Sequence, residues 1–183
     1  MSDIEQPGSA YRRVTVLTVA LFLSYLTVAI SLPAVPIHVV QGLGLTNAYG
    51  GLAVGSAFLS TIFTRGRAGA YVGRIGGKHS MQRGLLIYAA ASLICLVANW
   101  PGLPVGASYT VLIVGRLLLG VGESVANVGM ISWSIGLMGQ ARTGRVMALV
   151  GIGMYGAYAI GGPLGVALLG RPWASAPCCR SSA

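Results

Sequence analysis

The sequence predicts an all-α membrane protein, a bundle of five transmembrane helices, and three observations carry that prediction. Apolar residues make up 55% of the 183 and charged residues only 8%, whereas a soluble domain carries about 25% charge. The apolar residues fall in five runs, and about 20 such residues cross the hydrocarbon core as a helix. Basic residues are confined to alternate gaps between the runs, the mark of loops sorted by charge across a bilayer.

The first run, Val14 to about Val35, follows Arg12 and Arg13. It outlasts the roughly 7–15 residues of a signal-peptide core, and four more runs follow it, so it reads as an anchored span. The second extends from about Tyr49 to Thr64, reaching toward the glycines near Gly69. The third, Leu85 to Ala98, is short and ends at Asn99-Trp100-Pro101. The fourth, Ala107 to about Met138, exceeds one span, so its last turns should emerge at the interface. The fifth is Val146 to Leu169.

Charge gives the orientation. Arg12 and Arg13 precede the first span. Arg65, Arg67, Arg74, Lys78 and Arg83 lie between the second and third, and Arg142 and Arg145 between the fourth and fifth. These segments hold nine of the twelve Lys and Arg residues, while His38 to Asn47 and Asn99 to Gly106 hold none. The positive-inside rule then places the N-terminus, residues 1–13, in the cytoplasm and the transmembrane domain at 14–169. Trp100, Tyr109 and Tyr11 suit the interfacial belts. The tail, residues 170–183, breaks the style of everything before it. It reads as a truncation of the kind a change of reading frame produces.

The same numbers exclude other classes. Disordered chains are poor in apolar residues, and the 28 glycines show no collagen period. The net charge of +9 sits between apolar runs instead of on a folded face with aromatics, which argues against nucleic acid. Cys95 is alone in an apolar run, and Cys178 and Cys179 lack metal-ligand spacing and histidine partners. No metal or cofactor is expected. No Ser/His/Asp set, carboxylate pair or zinc motif marks an enzyme.

Candidate chemistry lies on the fourth span. Arg116 and Glu123 are charges within the membrane, and Glu123 is the only acid after residue 5. An intramembrane ionisable residue is costly and by default a functional candidate. Seven residues place both on one face, about 10 Å apart along the axis, too far for a direct salt bridge. One reading is a polar pathway in which Glu123 binds a proton or cation and Arg116 supplies counter-charge. The other is a packing cluster with Asn127, one turn after Glu123. Tyr25, on the first span, and Asn127 are the polar groups expected in a pocket. On the fifth span, Gly161 and Gly165 form a small-xxx-small face, and Pro163, after Gly162, should bend the helix. The basic, glycine-rich segment from Thr64 to His79 reads as a loop that sets orientation, and it lacks the phosphate-cradling pattern.

These residues resemble the major facilitator superfamily of secondary transporters, in its bacterial drug- and sugar-efflux branch. The family's motif between helices two and three is matched by Gly69, Arg74, Gly76 and Lys78. Gly73 stands where that motif has its aspartate, and Gly77 where it has a basic residue. Arg116-Leu-Leu-Leu-Gly120-Val-Gly122-Glu123 looks like the helix-four motif. Gly162-Pro163 matches the end of the helix-five motif, with Tyr158 and Leu149 at two of its glycine places. The resemblance covers residues 12–169, five helices of twelve. It implies proton-coupled efflux of a small molecule (a drug, sugar or metabolite) across the bacterial inner membrane, with lipid, substrate and protons as partners and no cofactor. Such transporters hold substrate between two six-helix halves, so the alternative is a non-transporting membrane fragment, or a helical subunit that needs a partner.

Overall fold

The structure, a computed structural model, describes residues 7–100 and 102–173. Five long helices occupy nearly all of it: α1 (Pro7–Ile37), α2 (Asn47–Ile75), α3 (Gly77–Val97), α4 (Val105–Met138) and α5 (Thr143–Trp173). A five-residue π-helical turn, His38–Gly42, closes α1, and a 3-10 turn, Gln140–Arg142, leads into α5. α1, α3, α4 and α5 are long and apolar enough to cross a membrane. The all-α membrane bundle expected from the sequence is therefore the fold observed.

α2 is the element that differs most from expectation. The basic segment Thr64 to His79 is not a loop. α2 continues through Arg65, Gly69, Gly73 and Arg74 to Ile75, and α3 starts after the single break at Gly76. Its 29 residues correspond to about 43 Å, more than the hydrocarbon core needs. The extra turns carry exposed arginines, which water can hydrate beyond the lipid tails. Those arginines and the many glycines also keep α2 below the apolarity of the other four. α5 likewise outruns its expected end and stays helical through Pro163 to Trp173. The first residues of the expected tail thus belong to a helix, and the rest of it, with Cys178 and Cys179, lies outside the described residues.

Gly76 has φ +87° and ψ 151°, and its amide donates to the Val72 carbonyl at 2.9 Å. That backbone region is open to glycine and strained for other residues. Gly76→Ala is expected to cost about 1–3 kcal/mol, read as a lowered unfolding midpoint in detergent.

α4 is the hub. It packs along α3 and α2 and touches α1 and α5, while α1 pairs chiefly with α5. The α3–α4 seam is built on glycines seven residues apart: Gly77 faces Gly129, Gly84 lies against Ala126 and Gly122, and Gly115 comes against Cys95. A Cβ on Gly122 would lie 2.7 Å from the Tyr88 amide nitrogen, and one on Gly129 2.6 Å from that of Met81. Small residues are what allow backbones to approach so closely in a membrane. α2 is fastened to α4 by hydroxyls: Ser60 donates to the Leu117 carbonyl at 2.7 Å, and Ser124 to the Thr61 carbonyl at 2.9 Å.

Along α1 the buried positions Val14, Leu17, Leu21, Tyr25 and Val28 form one helical stripe, with Ala29 beside it. The first four meet Met130, Met138, Val146 and Val150 in the main apolar core, at the half of the bundle nearer Arg142. A smaller core at the other end joins Val39, Ala53, Ala98 and Leu112. Outward faces stay apolar, with Phe63, Leu86 and Ile152 each 70% exposed. Such surfaces suit lipid and not water. At the end opposite the basic turns, Tyr49 and Tyr109 stack edge to face at 5.3 Å.

Candidate functional site

Arg116, Glu123 and Asn127 follow one another along α4, but the structure sends them to different partners. Arg116 is 4% exposed. Its Nε donates to the Ala53 carbonyl of α2 at 3.3 Å, and its Nη1 reaches Ser31 Oγ of α1 at 3.5 Å. Its hydrogen bonds thus go to neutral oxygens on two other helices and not to Glu123, as the seven-residue spacing required. A guanidinium suits this task, because its fork of donors can hold two acceptors at once.

Glu123 lines a partly open cavity of about 60 Å3 between α1, α3 and α4. Tyr25, Tyr88, Asn127, Met81 and Met130 share its wall. The cavity is apolar over most of its lining. Asn127 Nδ2 donates to the Tyr25 hydroxyl at 2.6 Å, and both side chains share the cavity wall with Glu123. A tyrosine has one proton to give. Its oxygen accepts from Asn127 Nδ2, which turns the amide oxygen away from the phenol. Asn127 Oδ1 is indeed buried with no hydrogen-bond partner, in a side chain 7% exposed. Tyr25 is also held edge to face by Tyr158 of α5, with ring centroids 5.8 Å apart.

Tyr88 completes the wall from α3. Its hydroxyl lies 3.4 Å from Thr27 Oγ1 on α1, and Thr27 donates to the Ser24 carbonyl at 2.7 Å. The Thr27 proton is therefore committed, and Tyr88 is the donor in that pair. Tyr88, Met81, Ser31 and the Ala53 carbonyl were not singled out from the sequence. Only Tyr88 carried a signal there, as a phenol in the middle of the third apolar run.

The remaining sequence candidates lie apart from this cavity. Gly69, Gly73, Arg74 and Lys78 are exposed around the α2–α3 turn. A Cβ on Gly69 or Gly73 would meet nothing within 4 Å, so Gly76 alone among these glycines has a conformation that demands one. On α5, Gly161 faces Ala29, and Gly165 comes against Ile30 and Pro33 of α1. Gly162 has open space beside it, and Pro163 is exposed. The glycine pair thus sits in the α1–α5 contact, with Pro163 turned outward.

The family model of the Major Facilitator Superfamily matches residues 17–177. An MFS-type transporter of Salmonella typhimurium is 39% identical over 161 residues, covering 88% of this chain and 42% of that protein. MFS-type transporters of Burkholderia pseudomallei and Burkholderia mallei are each 37% identical over 151 residues, covering 80% of this chain and 36% of theirs. The chain thus spans less than half the length of these curated relatives. No solved structure matches it. With the match running from the first apolar helix past the last, on a bundle that holds a carboxyl-lined cavity between membrane helices, the chain belongs to the Major Facilitator Superfamily.

Proposed function

We propose that the chain forms part of a proton-coupled efflux permease, in which Glu123 takes up and releases the coupling proton at the cavity between α1, α3 and α4. On this reading α2 is the second of five spans and the N-terminus is cytoplasmic. The basic segments at 65–83 and 142–145 face the cytoplasm, and the membrane is the bacterial inner membrane, as the one-sided distribution of Lys and Arg supports. Arg116 supplies fixed positive charge on the same helix. The gating motif corresponds to Gly69, Gly73, Arg74, Gly76 and Lys78 around the α2–α3 turn. The helix-five motif corresponds to Gly161, Gly162, Pro163 and Gly165 beside α1.

The observation that carries the reading is a lone carboxyl, Glu123, sharing the wall of an interhelical cavity with the hydrogen-bonded pair Asn127 and Tyr25. A carboxyl placed there changes charge on protonation, and the two charge states favour different packings of the helices around it. A ligand or proton shifts such an equilibrium only by its differential affinity for the two states.

Inverted membrane vesicles containing the chain, with a dye reporting the pH gradient, test this. A panel of amines, sugars and organic acids should include compounds that collapse the gradient through the native chain, with the response falling to background in Glu123→Gln. Equal responses in the two would sink the proposed role.

A further inference from the structure

Away from the Glu123 cavity, the last turns of α2 gather polar groups of a different kind. Arg67, Tyr71 and Arg74 follow at spacings of four and three, which puts them on one side of the helix. Arg83 reaches that side from α3, where its Nη1 donates to the Tyr71 hydroxyl at 2.9 Å. Tyr71 is half-buried, and the three arginines are exposed. Leu59 and Phe63 precede Arg67 on the same side, 55% and 70% exposed. Arg67 Nη1 leans back to the Phe63 carbonyl at 3.5 Å. Gly66 and Gly73, beside the two α2 arginines, leave the surface open, since a Cβ at either would meet nothing within 4 Å. Among the described residues the sole carboxylate is Glu123. It lines the cavity, so the described residues offer these three arginines no acidic partner.

We propose that this side of α2, together with Arg83, binds the phosphodiester of an anionic phospholipid whose acyl chains lie along Phe63 and Leu59. The inference rests on α2 crossing the membrane as the second span, and it is independent of the proton role of Glu123. Depth is its first support. Arg67 stands about 30 Å along the axis from Asn47 and Arg74 about 40 Å, so the pair brackets the headgroup layer at the edge of a hydrocarbon core about 30 Å thick. Order along the helix is the second. Exposed apolar side chains followed by cations match a lipid taken from tail to phosphate. The third is the α2–α3 corner. Charge sorting accounts for the arginines' side of the membrane, but not for a phenol that ties Arg83 to the α2 face. Guanidinium forks fit phosphate oxygens two at a time. The Tyr71 oxygen accepts from Arg83 and keeps its own proton to donate. A zwitterionic lipid brings an ammonium group into a cluster of cations, so the site selects headgroups with net negative charge.

Native mass spectrometry of the detergent-purified chain, titrated with dioleoylphosphatidylglycerol or dioleoylphosphatidylcholine, tests the proposal. The first lipid should bind about tenfold or more tighter than the second. Arg67→Gln and Arg83→Gln should each weaken phosphatidylglycerol about fivefold, the worth of one basic residue at a lipid surface. Arg142→Gln, at the α4–α5 turn, removes the same charge elsewhere and should change nothing. Inorganic phosphate in about hundredfold excess should not displace the lipid, because it lacks the acyl chains held on Phe63 and Leu59. Equal binding of the two lipids by the native chain overturns the proposal with no variant needed. A loss in Arg142→Gln as large as that in Arg67→Gln also overturns it, since only diffuse attraction would then remain. Displacement by phosphate overturns it too, as the mark of a site for free anions. Quenching of the added fluorescence of Phe63→Trp by lipids brominated on their acyl chains checks the span itself. No quenching would remove span and site together, while quenching with equal lipid binding removes the site alone.

Discussion

Gly84→Ala is expected to destabilise the bundle by about 1–3 kcal/mol, the usual cost of forcing a methyl into a filled contact. A Cβ at Gly84 would run into the backbone nitrogen, Cα and side chain of Ala126 on α4. Backbone cannot rotate aside as a flexible side chain can, so α3 and α4 would have to part. Gly136→Ala is the matched comparison: it lies on α4, is exposed, and has nothing within 4 Å of the added carbon. There the removal of a helix glycine should gain about 0.5–1 kcal/mol. Denaturant titration in mixed micelles, followed by helical circular dichroism, would check both. Equal effects at the two positions would show that helix propensity, and not the seam, governs them.

Arg116→Leu is expected to separate stability from function. Carrying an arginine at the centre of a span costs about 2.5–3.5 kcal/mol on insertion scales. Its hydrogen bonds to Ala53 and Ser31 are long, at 3.3 and 3.5 Å, and return little of that. The leucine variant should therefore unfold at the same denaturant concentration as the native chain, or higher. Proton-coupled responses in vesicles should nevertheless be lost. Arg116→Lys should restore charge without the two-pronged hold on α1 and α2, and recover activity in part. A large stability loss in the leucine variant, with transport kept, would make Arg116 a structural strut.

Much of this was legible from residue order. The apolar runs and alternating basic gaps located α1, α3, α4 and α5 to within a few residues at most ends, because hydrocarbon thickness and charge sorting act on short stretches of chain. The basic segment misled for a physical reason. Glycine and arginine there look like loop chemistry, yet arginine is a good helix former and glycine costs only about 1 kcal/mol within a helix. A helix leaving the lipid needs no apolar residues to persist. On α4, spacing alone foretold that Arg116 and Glu123 would not pair. It could not say that Arg116 turns to Ala53, or that Tyr88 and Tyr25 would meet around Glu123. Those neighbours come from α1, α2 and α3, and no periodicity within α4 encodes which residues stand across from it.

The glycine seam also has a mechanical consequence. With backbones interlocked at Gly77, Gly84, Gly122 and Gly129, α3 and α4 cannot slide past each other without lifting out of register. α1 and α5 are clasped in the same manner at Gly161 and Gly165. The bundle is therefore two stiff plates, and the Glu123 cavity lies on the joint between them, with α1 on one side and α3 and α4 on the other. A rocking of one plate by a few degrees would leave every clasp intact and change the width of that joint first. The carboxyl group sits on that joint, beside the Asn127–Tyr25 hydrogen bond that crosses it.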